Sequence, residues 1–386
     1  MNKKSIPTIY EKNRIVDNII NALQEKSHFL FLGHQNPDED CIGSMVACAL
    51  IVGKFSKKAD VYISESMHEH FQYLLDICRH NAISCSESMG TIDDTVDAIV
   101  VCDTPKPSMI DLNPGIEKLL HKKEILKIEI DHHLGADSMY IGDVGYRLVT
   151  EATSSSELVG LIAMKLAKKT DILRRYNISN PLSRNVILSV LTGIVGDTNM
   201  GQYIKSKRQK RYYDIFSNIY NALLLKETTK ETNFMNKDDV FHEIQRLSAV
   251  EDRCFRYIYS KKKFSKSVGS AVLNREDMDY LYGEFDSDTI VSVTRSVADH
   301  LAEESGHLGL VVYDDSGASG LVQFRLRRGQ RFKTFDLRKV LKIFSLTNGG
   351  GHEGAIGFRV SRNEIGDIDE YAGQLVEGIE KAISKR

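Results

Sequence analysis

The stretch ILKIEIDHH, residues 125–133, is a short apolar run that ends abruptly in three titratable side chains, Asp131, His132 and His133. Upstream the same design recurs: HFLFLGH (28–34) closes on a histidine, and VDAIVVCDT (96–104) closes on Asp103. Runs this apolar suit strands covered on both faces, the habit of a parallel sheet. Between them CIGSMVACALIVGKF (41–55), HEHFQYLLDICRH (68–80) and PGIEKLLHK (114–122) read as helices, and ADVYIS (59–64) as another strand. The rhythm predicts an α/β domain: a mostly parallel sheet with helices on both faces, its ligand cleft at the carboxyl ends of the strands. The polar residues that end those strands are therefore the candidates for function.

At 386 residues the chain exceeds the roughly 250–300 residues at which single cores stop growing. Two cores with an active site in the cleft between them are expected. The first domain spans 1–200, opening with an amphipathic helix at about 8–26 whose stripe is Ile15, Ile19, Ile20 and Leu23. It closes with the helices SSSELVGLIAMKLAKK (154–169) and LSRNVILSVLTGIVGDT (182–198), the former opened by a capping-box pattern, Ser154 with Glu157. Residues 201–254 read as a polar, helical connecting segment. A smaller α+β domain, 255–386, offers strands at CFRYIYS (254–260), SVGSAVL (267–273), LGLVVYD (308–314), GLVQFRLR (320–327) and AIGFRV (355–360).

Hydrophobic residues make up 42% of the chain and charged ones 27%, an ordinary globular composition, and the net charge of −2 gives no footprint for long duplex nucleic acid. No run approaches the ~18 apolar residues of a membrane span, and no signal-peptide pattern opens the sequence. Six scattered cysteines without a C-x-x-C pair read as reduced thiols, hence a cytoplasmic setting.

Parallel strands would deliver His34, Asp38, Asp40, Asp103, Asp131, His132 and His133 to one rim, with Asp197 arriving at the end of a helix. Singly, each has an ordinary reading: a locally bonded histidine, a turn or helix-capping aspartate. Jointly they do not. Asp197 sits against the helix macrodipole, and five acids with three histidines in one place require compensating charge. Two divalent cations supply it. An oxygen and imidazole donor set without cysteine suits Mn²⁺, with Mg²⁺, Co²⁺ and Fe²⁺ as rivals.

HQNPDED (34–40), VVCDT (100–104), IDHH (130–133) and GIVGDT (193–198), in this order, resemble the four motifs of the DHH phosphoesterase superfamily, and GGGHEGAIGF (349–358) resembles the signature of the DHH-associated C-terminal domain. The arrangement is most similar to the NrnA group, oligoribonucleases that also dephosphorylate 3′-phosphoadenosine 5′-phosphate. The resemblance implies that His34, Asp38 and Asp103 hold one cation and that Asp40, Asp103, His132 and Asp197 hold the other. It further implies that Asp131 orients its neighbours, that His133 meets the substrate phosphate, and that Arg327 binds substrate. Glu39, Asn199 and Arg325 depart from the family, where a small residue, glycine and serine are common.

In the second domain, glycines 349, 350 and 351 allow backbone amides to approach an anion, and His352 can donate to a phosphate. Alternation in GLVQFRLRRGQ puts Gln323, Arg325 and Arg327 on one face, a phosphate grip or else a solvated edge. KSKRQKRYYDIF (205–216) is basic and aromatic, the mark either of a solvated helix or of single-strand binding.

The expected activity is two-metal hydrolysis of short oligonucleotides, exonucleolytic, or of nucleotide 3′-phosphates. Its rivals are a cyclic- or linear-dinucleotide phosphodiesterase, an exopolyphosphatase or pyrophosphatase, and a catalytically silent nucleotide-binding regulator. The expected partners are the substrate alone, with no membrane, and a homodimer as the alternative to a monomer.

Overall fold

The computed structural model describes residues 2–63, 71–86, 95–110, 112–135, 138–201, 203–204, 206–227, 234, 237–244, 247–329, 331–346 and 348–384. The chain divides into two compact units, Met1–Arg246 and Leu247–Arg386.

The first unit runs α1 (Ile9–Glu25), β1 (His28–Leu32), α2 (Glu39–Gly53), β2 (Lys58–Tyr62), α3 (Gln72–His80), β3 (Ser84–Ser86), β4 (Ala98–Cys102), α4 (Pro114–His121), β5 (Leu126–Asp131), β6 (Arg147–Val149), α5 (Ser155–Leu166), α6 (Thr170–Arg175), α7 (Arg184–Thr198), α8 (Lys207–Glu227) and α9 (Lys237–Ile244). Its six strands form a sheet in the order β3-β2-β1-β4-β5-β6, every pair parallel. The part of the expected helix 68–80 before Phe71 lies outside the described residues.

Alternation along the strands builds two cores, because successive side chains point to opposite faces. Phe29, Phe31, Val100 and Cys102 join α2, α5 and α7, whereas Leu30, Leu32, Ile99 and Val101 meet Ile116 and Leu119 of α4. All five residues of β1 and of β4 are buried, which explains why their sequences read as unbroken apolar runs. Chain reversal after each strand then leaves β1, β4 and β5 with their polar ends at the same edge.

The segment expected as a connector is divided between the units. Tyr213, Phe216 and Tyr220 of α8 are buried in the first core, and Arg208 pairs with the buried Glu157 at 2.8 Å while stacking on Tyr212. No helix among the described residues is long and apolar enough to cross a membrane. The six cysteines are free thiols.

The second unit runs α10 (Ala249–Ser260), β7 (Lys262–Phe264), β8 (Val268–Leu273), α11 (Arg275–Glu284), α12 (Ser287–Ser305), β9 (Leu308–Asp315), α13 (Ser316–Ser319), β10 (Leu321–Arg328), α14 (Arg338–Ile343), β11 (Gly349–His352), β12 (Ala355–Ser361) and α15 (Ile368–Ser384). Its sheet is mixed, in the order β11-β12-β10-β9-β8-β7. CFRYIYS, expected as a strand, is the end of α10. Its aromatics favour strands intrinsically, but a Ser248/Glu251 capping box starts a helix, and Cys254 and Ile258 are buried four residues apart on one face. On β10 the alternation is as expected. Val322, Phe324 and Leu326 are buried with Ile356 and Phe358, and the Phe324 and Phe358 rings stack at 4.5 Å.

Candidate metal centre and arginine pocket

Asp38 caps α2: its Oδ1 accepts from the amides of Asp40 and Cys41, both at 3.1 Å. The capping reading and the site reading of this residue are therefore compatible, since the same oxygen lies 3.7 Å from His34 Nε2. His34 is oriented by Nδ1, which bonds Gln35 O at 2.7 Å, leaving Nε2 to face the carboxylates. Asp40, in the first turn of the helix, is fully enclosed. Its two oxygens accept from the first amides of α5, Ser155 N at 2.6 Å and Ser156 N at 2.8 Å. A carboxylate at a helix N-terminus is well placed against the macrodipole.

Asp103 directly follows β4 with φ +48°, a left-handed conformation that aspartate tolerates better than most residues. It is buried, and the Ser155 hydroxyl donates to its Oδ1 at 3.0 Å. Its two oxygens face different partners: Oδ2 lies 3.7 Å from His34 Nε2, Oδ1 lies 3.4 Å from His132 Nε2. His132 Nε2 in turn lies 3.8 Å from Asp40 Oδ2 and 3.5 Å from Asp197 Oδ2. Asp197 reaches this point from the last turn of α7, which ends in a left-handed Asn199, φ +43°. Small, flexible or amide side chains suit that backbone, so Asn199 fills a position where glycine also serves.

α7 comes this close because Gly193 has no side chain. A Cβ there would lie 2.1 Å from Ser156 Oγ and 2.5 Å from Asp40 Oδ1. Glu39, the unplaced acid of the motif, packs its methylenes over Gly196, whose added Cβ would lie 2.4 Å from Glu39 Cβ.

His133 is the most exposed of the three histidines. Asp131 Oδ1 accepts from its amide at 3.1 Å and pairs with its Nδ1 at 2.9 Å. Three donor groups thus emerge, each with atoms within 4.8 Å of one another: His34, Asp38 and Asp103; Asp40, His132 and Asp197; Asp103, His132 and His133.

The separations of 3.4–3.8 Å between imidazole nitrogens and carboxylate oxygens are too long for hydrogen bonds. They are close to the edges of a coordination polyhedron, since ligands at about 2.1 Å stand roughly 3.0–3.5 Å apart around octahedral or tetrahedral ions. The residues present fit a cation in each of two positions.

The titration behaviour carries the same signature. Burial pushes Asp40 well above the usual carboxylate range, aided by Asp103 and Asp197. Burial likewise lifts Asp197 to about 6 against the pull of His132. Burial would also raise Asp103, but His132 and His34 outweigh it and hold the group well below its ordinary value. For His34 burial acts downward, yet Asp103 and Asp38 lift it to about 11. His132 is raised too, with Asp197 and Asp103 overcoming burial. Protons occupy places where positive charge is needed, and bound cations would supply the same charge in their stead.

In the second unit, Arg327 and glycines 349, 350 and 351 line one cavity of ≈650 Å³, together with Arg295, Arg325, Asn348 and Arg359. The glycine stretch forms a strand, β11, paired antiparallel with β12. Gly351 is required there, at φ +134° with a Cβ that would lie 2.2 Å from Ala355 O. The His352 side chain lies outside the described residues. Four guanidinium groups share the cavity, and Arg327 pairs with Asp299 at 3.5 Å. Arg325 has an enclosed Nε without a hydrogen-bond partner, and burial and the neighbouring arginines lower its pKa.

TSSSE (153–157) reads in sequence as a helix cap near the site with hydroxyls for substrate; instead Ser155 and Ser156 support Asp40 and Asp103. Sequence reasoning missed Arg295 on α12 and Arg359 on β12, which belong to no motif, and Lys3 behind Asp131.

Residues 28–194 match the profile of the DHH family, N-terminal domain. With the donor groups described above, that match marks a metal-dependent phosphoesterase. No curated protein matches the sequence significantly. Among solved structures, an exopolyphosphatase-related protein from Bacteroides fragilis is similar over 97% of this chain and 96% of its own, at 19% identity and TM-score 0.61. RecJ in complex with Mn²⁺ from Thermus thermophilus is similar at 13% identity and TM-score 0.45, over 98% of this chain and 56% of RecJ.

Proposed function

We propose that the protein hydrolyses short oligonucleotides or nucleotide 3′-phosphates of the 3′-phosphoadenosine 5′-phosphate type, using two divalent cations, Mn²⁺ foremost. The observation that carries this reading is Asp103, a buried carboxylate with one oxygen turned toward His34 and the other toward His132. Such a residue can be shared by two ions. His34 and Asp38 would complete one ligand set, and Asp40, His132 and Asp197 the other. When bound, a cation pair supplies an activated water and neutralises charge on the phosphoryl oxygens.

The chain's own residues do the rest. Ser155 and the first amides of α5 hold Asp103 and Asp40 so that their free lone pairs point inward. Asp131 fixes the ring of His133, which stands at the mouth of the site where it can donate to a phosphate oxygen. The arginine cavity of the second unit is suited to an anionic group of a substrate, with Arg327 and glycines 349, 350 and 351 as its contacts.

The test compares kcat/KM, with Mn²⁺ present, across dinucleotides, 3′-phosphoadenosine 5′-phosphate, cyclic dinucleotides, pyrophosphate and polyphosphate. Dinucleotides or the 3′-phosphate are expected to lead by at least about tenfold. A lead by pyrophosphate or polyphosphate would overturn the substrate assignment, and nucleotide binding without any turnover would make the chain a regulator.

A further inference from the structure

Behind the site lies a lysine that no motif includes. Lys3 is fully buried, its ammonium hydrogen-bonded to Thr104 O at 2.6 Å and to Asp131 Oδ2, and ion-paired with Glu129 Oε1 at 2.8 Å. Thr104 directly follows Asp103, and Asp131 directly precedes His132. One ammonium, hydrogen-bonded to Thr104 and Asp131 and ion-paired with Glu129, therefore ties together the ends of β4 and β5, the two strands that deliver the shared carboxylate and the histidine pair.

The other carboxylate oxygens are held as well. Glu129 Oε2 accepts from Ile141 N and Gly142 N, and Asp131 Oδ1 accepts from His133 N and faces His133 Nδ1 at 2.9 Å. We propose that Lys3 is a positioning residue for His133, acting through Asp131. Glu129 and Asp131 are buried on the same side of β5, and Lys3 is the cation between them. Removing it leaves two enclosed carboxylates facing each other, a strongly unfavourable arrangement that Asp131 relieves by turning away. Asp131 then no longer holds His133 in one orientation.

The segment carrying Lys3 is also a clip. Lys3 N donates to Ser138 O at 3.3 Å, Lys4 N to the Tyr140 hydroxyl at 2.9 Å and Ile6 N to Val149 O at 3.3 Å, and Ser5 Oγ meets Thr150 Oγ1 at 2.9 Å. Clip and charge are separable by substitution, which makes the proposal testable.

The inference rests on the phosphoesterase reading for the task of His133, but not for its orientation. In cation-free protein, the ring nitrogen signals of His133, assigned by their loss in His133→Gln, should form a single set, the mark of one ring orientation. Lys3→Met should convert them to a mixture of forms. With cations and substrate, Lys3→Met should lower kcat by about 10–100-fold, the range for groups that orient a metal-site residue, with KM within about twofold. It should add nothing in a His133→Ala background. Tyr140→Phe, which loosens the clip and leaves Lys3 in place, should lower Tm while leaving ring signals and kcat unchanged. If Lys3→Met does not fold, Lys3→Gln, uncharged but able to donate, carries the same readouts. Unchanged His133 signals in the Lys3 variant would overturn the proposal, as would an equal fall in kcat in Tyr140→Phe. A wild-type protein with ordered His133 signals and no turnover would refute the phosphoesterase reading and leave the Lys3 coupling standing.

Discussion

Replacing Asp103 by Asn tests the shared carboxylate with the least change of shape. The amide keeps the side chain's volume and an oxygen for the Ser155 hydroxyl, so the buried packing survives. What is lost is one unit of negative charge, 3.4–3.7 Å from the nitrogens that mark the two ligand sets. At an effective dielectric of ~20, a unit charge at that range is worth about 4–5 kcal/mol per unit of partner charge, as an upper bound. For a divalent ion the bound doubles; a net loss of half of it, with the amide oxygen still able to coordinate, is at about 1.36 kcal/mol per tenfold step a fall of about 10³-fold in affinity for each cation. Equilibrium dialysis against Mn²⁺ with metal analysis should therefore give a stoichiometry below two in the variant at micromolar cation. Dinucleotide hydrolysis should fall by at least about 10³-fold, or roughly 4 kcal/mol in the barrier. Circular dichroism and Tm confirm that the variant folds. Two cations bound with ordinary affinity, or activity within about tenfold of wild type, would refute the reasoning.

Gly193→Ala should cost about 1–3 kcal/mol by overpacking, because the new methyl meets Ser156 and Asp40, and it should reduce activity along with Tm. Arg327→Ala should raise KM at least about tenfold with kcat changed far less, the signature of lost uniform binding. Proton linkage gives a third expectation. Without cations, raised pKa values at His34 (about 11) and His132 mean stability fully present below about 6.5 that fades as pH rises toward the folded values. Raised Asp40 and Asp197 (about 6) act in the same sense, being costly once ionised. Chelator-treated protein should thus lose Tm between about pH 5.5 and 8. Mn²⁺ affinity should rise over the same interval with measurable proton release, whereas a flat profile would contradict the charge assignment.

The strand ends were legible because parallel topology sends every carboxyl end to one edge, so His34, Asp103 and His132 could be grouped before any distance was known. Asp38 and Asp40 were legible for the same reason, and Asp197 by its awkward place at the end of an apolar helix. α10 was misread because Phe255, Tyr257 and Tyr259 carry strand propensity, while the helix is decided by the cap at Ser248 and the buried pair Cys254 and Ile258. Lys3 could not have been found by pattern. It lies more than a hundred residues from the carboxylates it serves, and nothing local distinguishes it from Lys4, which is exposed. Arg295 and Arg359 were hidden likewise, since a helix and a strand far apart in sequence bring them to the same cavity.

The central claim is that two cations sit on either side of Asp103. Crystals equilibrated with Mn²⁺ and measured near the manganese absorption edge give the direct answer in an anomalous difference map. Two peaks are predicted, one bounded by His34, Asp38 and Asp103, the other by Asp40, Asp103, His132 and Asp197. A single peak that does not touch Asp103, or none among these residues, would contradict the account.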